Sequence, residues 1–283
     1  HTICTWQSLN ILLKNTKAGT SELTINEFLE NVVCVIVDEV HQAKAEALKT
    51  LLTGAMSQIP IRWGLTGTIP KAKFESQALF VSLGPVINKL AASTLQEKGV
   101  LAKCHVNIIQ LQDKVEFSNY QSELKHLLED ATRLDVIAHR IHSLKVTGNT
   151  LVLVDRVNAG KELVNRIPDA VFISGDTKAQ IRQEEYDKVS INSGLVLVAT
   201  YGVAAVGINI PRIFNVVLIE PGKSFVRVIQ SIGRGIRKAE DKDHVQIYDI
   251  TSSCKFAKRH LTQRKAFYKE ANYPFDVEKL TYR

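Results

Sequence analysis

Two adjacent acids, Asp38 and Glu39, follow the apolar run Val32–Val37 and precede Val40 and His41. Paired carboxylates at the end of a buried strand suit a hard cation, one reaching Mg²⁺ while the other orients or deprotonates a water. For an isolated Asp-Glu pair, the opening of a polar loop is the better reading. A second group shifts that balance. In Gln230-Ser231-Ile232-Gly233-Arg234-Gly235-Ile236-Arg237-Lys238, the two arginines stand three apart, so a helix over 224–238 puts both on one face. Guanidinium groups donate bidentately and stay charged, which suits a phosphate chain, although a salt-bridged surface helix has the same pattern. Gly233 and Gly235 each cost such a helix roughly 1 kcal/mol against Ala, which points to close backbone packing. Between the two groups, a strand ends at Thr200, and small residues including Gly202 lead through Gly207 to Pro211. A ligand can approach a backbone of that kind closely.

The net charge of +7 is unevenly placed: residues 1–220 are neutral overall, and the whole excess lies in 221–283. Lys255, Lys258, Arg259, Arg264, Lys265 and Lys269 fall in a stretch without an acid, beside Phe256, Phe267 and Tyr268. Such a block attracts a polyanion, most commonly nucleic acid, though a solvated helix face has the same composition. Cys4, Cys34, Cys104 and Cys254 lie far apart, which disfavours a disulfide framework or zinc site and fits a cytoplasmic protein. The run Val32–Val37 is far below the ~18 apolar residues of a membrane span.

The elements that must position these residues are legible as runs of Val and Ile alternating with helical stretches. Strands are predicted at 2–5, 32–37, 61–65, 106–111, 150–154, 170–173, 195–199, 214–219 and 245–250, several apolar on both faces. Helices are predicted at 44–53, 119–146, 158–167, 178–189 and 224–238, with one more before the break at Leu83-Gly84-Pro85. This is the rhythm of an α/β fold with parallel sheets. For 283 residues it gives two domains, 1–92 and 93–283, the first lacking its early strands.

Taken in order, the segments resemble superfamily 2 helicases and translocases. Thr5-Trp6-Gln7-Ser8 is similar to motif Ib, Asp38-Glu39-Val40-His41 to motif II and Leu65-Thr66-Gly67-Thr68 to motif III. Leu151–Val154 is similar to motif IV, Thr200–Pro211 to motif V and Gln230–Arg237 to motif VI. Leu95–Ala102 resembles the opening of the second domain in the UvsW and XPB branch, and the phage UvsW-type helicases, which remodel branched DNA, are the nearest likeness. The resemblance implies two RecA-like domains, the first incomplete at its N-terminus, with ATP and Mg²⁺ as cofactors. It implies that Asp38 holds Mg²⁺, Glu39 activates water, Arg234 and Arg237 are arginine fingers and Gln230 binds near the γ-phosphate. His41 would join motif II to its neighbours, and Thr66 and Thr68 would couple nucleotide state to closure. Thr200, Gly202 and Gly207 would lie by the cleft, and Thr5 and Gln7 would touch nucleic-acid phosphates, joined by the basic tail. One departure stands out: no Walker A loop is present, and Gly222-Lys223-Ser224 lacks its first glycine. Motif I is therefore expected upstream of His1, and this stretch alone is not expected to hydrolyse ATP. The expected protein is a monomeric DNA motor acting on branched or duplex DNA, RNA–DNA hybrids among its substrates, in the host cytoplasm if phage-encoded. A duplex-tracking translocase without strand separation, or a non-catalytic nucleic-acid-binding module, has the same motifs.

Overall fold

The computed structural model describes all residues except 42–45, 68, 70–72, 208–209, 225–227, 229–230, 234, 236 and 283, and leaves the side chains of 73–75 and 205–207 undescribed. The chain divides into two compact units, His1–Lys89 and Leu90–Arg283.

The first unit contains α1 (Trp6–Ala18), α2 (Ile25–Leu29), β1 (Cys34–Val37), α3 (Glu46–Thr53), β2 (Ile61–Gly64) and α4 (Lys73–Leu83). Its strands pair in parallel, with Ile36 opposite Trp63. Leu51 and Leu52 of α3 are fully buried among Leu9, Ile25, Leu48 and Met56, so one helical layer supplies this core. The strand expected at 2–5 does not form. Thr5 instead N-caps α1, its hydroxyl accepting from Ser8 N at 3.1 Å, and Ile3 is fully exposed. Satisfying that first-turn amide fixes the run as the approach to a helix.

The second unit is a seven-stranded, wholly parallel sheet in the order β5-β6-β4-β7-β8-β3-β9. Its strands are β3 (Lys103–Leu111), β4 (Thr150–Val154), β5 (Val171–Ile173), β6 (Val196–Thr200), β7 (Asn215–Ile219), β8 (His244–Ser252) and β9 (Phe275–Leu280). The helices are α5 (Ala92–Glu97), α6 (Tyr120–Glu129), α7 (Ala131–Ser143), α8 (Val157–Val164), α9 (Ala179–Ile191), α10 (Tyr201–Gly207) and α11 (Lys255–Glu270). Alternate residues of each central strand feed two cores: Leu151 and Leu153 pack with α9, α10 and α11, Val152 and Val154 with α6, α7 and α8. Both faces are covered, as a parallel sheet requires.

Three elements differ from expectation. The helix over 119–146 is broken at Asp130, which ends α6 and caps α7 by accepting from Arg133 N at 2.9 Å. Strand β9 is additional to the expected strands; it is an edge strand on β3 whose residues are mostly exposed and half of them charged. The helix expected to run to 238 stops short of Arg237, whose backbone instead forms an isolated antiparallel bridge with Leu101. Arg237 therefore lies outside the helix that the sequence pattern assigns to it. Among the described residues, no helix is long and apolar enough to cross a membrane.

Candidate functional site

In the first unit the acids sit where β1 ends. Glu39 adopts φ +48°, a left-handed conformation costing a non-glycine residue of order 1–3 kcal/mol, so the surrounding contacts must hold it there. Its backbone N–H donates to Asp38 Oδ1 at 2.8 Å, closing a tight turn. The next residue, Val40, is buried and donates its N–H to Leu65 O at 3.0 Å, while Leu65 N donates to Val37 O at 2.9 Å. The loops after β1 and β2 are thus bonded edge to edge. Gly64 permits this approach, because a Cβ there would lie 2.7 Å from Leu83 Cδ1 and 3.0 Å from Val40 Cγ1. Across the junction His41 Nδ1 lies 3.0 Å from Thr66 Oγ1 and 3.2 Å from Glu39 Oε2. That Glu39 oxygen is shielded from solvent and has no hydrogen-bond partner among the described residues, whereas Asp38 is exposed. The structure therefore brings Glu39, His41 and Thr66 together, with Asp38 beside them. Thr68 lies outside the described residues. Gln7 is exposed on the first turn of α1, next to the Thr5 cap.

An exposed carboxylate next to a shielded oxygen that makes no hydrogen bond is a donor set that fits Mg²⁺, which is commonly held by one or two carboxylates together with water and phosphate. Among the described residues, no three His, Cys, Asp or Glu side chains gather into a metal-holding group.

In the second unit Thr200 ends β6 and α10 follows at once. Tyr201 anchors this helix by donating its hydroxyl to Ile219 O of β7 at 3.2 Å, leaving Gly202 exposed and Gly207 at the helix end. In the segment ending at Arg237, Val228, Ser231 and Ile232 are buried. A Cβ on Gly235 would lie 2.3 Å from Val216 Cγ2, so the backbone there is pressed onto β7. Gly233 has open space around it, so the two glycines serve different needs. Gln230 and Arg234 lie outside the described residues.

The basic tail resolves into α11, and its cations separate by burial. Lys255, Lys258 and Arg259 are exposed near the N-terminal end, where positive charge opposes the helix dipole and does nothing for the helix itself. The buried Glu123 carboxylate offsets this by accepting from Phe256 N at 3.0 Å and Ala257 N at 2.6 Å. Arg264 is a correction: it is fully buried, gripping Asp249 through Nε at 2.8 Å and Nη2 at 2.9 Å, and Gly222 O through Nη1 at 2.7 Å. Tyr268 donates to the same Asp249 carboxylate at 2.7 Å. With its donors engaged inside the fold, Arg264 offers nothing to a phosphate. Sequence reasoning also passes over Lys223, which stands out only as part of a failed Walker A pattern. Burial first, and then the charges of Arg264, Lys223 and Arg259, hold His260 below the usual imidazole range. Lys223 and Arg259 therefore contribute to one positive region.

Residues 115–239 match the helicase conserved C-terminal domain, within the second unit. The chain is 26% identical over 241 residues to the ATP-dependent DNA helicase UvsW of Enterobacteria phage T4, covering 81% of this chain and 48% of that protein. It overlays the crystal structure of T4 UvsW with a TM-score of 0.57 at 19% identity, covering 99% of this chain and 57% of that one. Saccharomyces cerevisiae Dbp5 bound to RNA and ADP BeF3 gives 0.60 at 15% identity (95% and 63% covered). The Type ISP restriction-modification enzyme LlaBIII bound to DNA gives 0.65 at 14% (98% and 23% covered). The second unit thus has the RecA-like fold of a helicase C-terminal domain. The chain is thus similar to superfamily 2 helicases of the UvsW kind, and it spans about half the length of UvsW.

Proposed function

We propose that this chain is part of an ATP-dependent DNA helicase or translocase that remodels branched DNA such as forks and junctions. The observation that carries this reading is the UvsW relationship, whose 81% coverage exceeds what the second unit alone supplies and so reaches into the unit bearing the acids. The acid turn supports it: a polar loop has no need of a left-handed glutamate joined through His41 to Thr66.

In this reading Asp38 holds Mg²⁺, which when bound neutralises charge on the β- and γ-phosphates. Glu39 accepts the proton of the attacking water, and its shielded Oε2, beside His41 but without a hydrogen bond, keeps acceptor capacity for that role. His41 and Thr66 keep Glu39 in its left-handed turn. Arg237 donates to phosphate oxygens, as do Gln230 and Arg234. Thr5, Gln7, Gly202, Lys255, Lys258 and Arg259, with Lys223 added, meet the nucleic-acid backbone, and Thr200 and Gly207 line the nucleotide side. Backbone contacts of this kind position a strand without reading its sequence.

The test is ATP hydrolysis by the intact protein, compared on forked DNA, four-way junctions and RNA–DNA hybrids. Hydrolysis is expected to rise with branched DNA. Glu39→Gln is expected to lower kcat by about 100-fold or more while leaving DNA affinity unchanged, the scale of losing a general base. Wild-type turnover in that variant would refute the assignment, and absent hydrolysis on every substrate would favour a binding module.

A further inference from the structure

Under the segment that ends at Arg237 lies a buried cation that donates to backbone carbonyls rather than to a carboxylate. Lys242 is 3% exposed, and its Nζ donates to Gly235 O at 2.6 Å and to Pro211 O at 2.7 Å. The adjacent acid, Asp241, is engaged by Arg212, whose Nε and Nη2 each lie 2.9 Å from Oδ2. The two contacts cross. Lys242 reaches from the arginine-bearing side to Pro211, and Arg212, the next residue along, reaches back to Asp241. A turn presents both partners, closed by Ala239 N to Lys242 O at 3.4 Å and Lys242 N to Ala239 O at 3.1 Å. On the other side of the segment, the Arg237 backbone bridges Leu101 and Lys238 Nζ donates to Gly99 O at 3.0 Å.

Burying an ammonium is costly unless its hydrogen bonds are made, and here they join two segments that sequence reasoning associates with the same ligand. We propose that Lys242 is a positioning residue: with the Arg212–Asp241 pair it clamps the end of segment 200–211 to segment 231–237, holding the Arg237 backbone in place for ATP turnover. This rests on the helicase reading. Lys242 touches no substrate in it and acts through Gly235.

Titration gives the clamp a signature. Burial pushes the Lys242 ammonium down to about 8, the nearby Asp241 charge opposing the shift. As pH rises through 8 the folded protein loses this proton, and the neutral amine donates more weakly to both carbonyls. Because the folded value lies below that of a free lysine, the unfolded chain binds more protons from there to about 10.5, so this group makes stability rise over that window. Loss of activity above pH 8 without loss of stability therefore marks positioning rather than folding.

The first arm compares amide hydrogen exchange in this chain, wild type against Lys242→Met and Arg212→Gln, the latter removing only the more exposed half of the clamp. Exchange at Arg212 and across 231–239 should speed by roughly tenfold, the scale of losing a charged hydrogen bond, while β4 and β7 stay protected. Unchanged exchange in both variants overturns the clamp. In the intact protein, wild-type kcat should fall above pH 8 while the melting temperature does not, and Lys242→Met should lower kcat and lose that limb. Wild-type kinetics and pH profile in Lys242→Met overturn the positioning role. An intact protein that hydrolyses no ATP overturns the helicase reading instead, and the exchange comparison still decides the clamp.

Discussion

Every residue of β4 and of β7 is buried, whereas Ile36 and Trp63, partners across β1 and β2, are 56% and 53% exposed. The second unit covers both faces of a seven-stranded sheet. Among the described residues, the first covers only the face bearing Val35 and Val37, and Ile61 is also exposed on the other. Parallel strands gain little from hydrogen bonding unless their apolar side chains are removed from water on both sides, and a two-stranded sheet is marginal by itself. One unit is therefore self-sufficient and the other is not, although the acids lie on the weaker one.

The largest effect expected from this contrast is all-or-none. Residues 90–283 produced alone should unfold in a single cooperative urea transition by circular dichroism, and residues 1–89 alone should show none. Trp6 and Trp63 are the chain's two tryptophans, so indole emission reports the first unit separately. A cooperative transition in 1–89 would break the comparison. Next comes Arg264→Met in 90–283, which strands the buried Asp249 carboxylate and should cost about 3–5 kcal/mol in urea-derived stability. Smaller again is the joint change Lys255→Glu, Lys258→Glu and Arg259→Glu in the same fragment. Its effect on stability should stay within about 0.5 kcal/mol per site. Duplex binding should become weaker and its salt slope shallower, by about one unit for each phosphate no longer neutralised. Unchanged affinity and slope would remove α11 from the interface.

The central strands are legible because runs such as Thr150–Val154 are apolar on both faces, a pattern only a doubly covered strand needs. Strand β9 is hidden because Phe275–Leu280 alternates charges along a solvent edge, so no apolar run marks it. The strand expected at 2–5 fails for a local reason: the cap made by Thr5 overrides the β-propensity of the residues before it. Arg264 misleads when charge is read without periodicity. It falls in register with Ala257, Leu261 and Tyr268, the buried stripe of α11, and that spacing is available in the sequence. The reach of Lys242 and Arg212 is not, since it depends on a turn bringing 211–212 and 235–242 together.

The sheet order has a consequence for how this protein is made. Strand β3, the first of its sheet to leave the ribosome, has β8 and β9 as neighbours, and His105 meets Asp276 171 positions later. Both edges of β3 stay unsatisfied until those two strands have emerged, and contacts this distant in sequence make for slow folding. Until then the exposed β3 backbone is a natural client for chaperones, and premature truncation anywhere before Phe275 leaves it open to pairing with other chains.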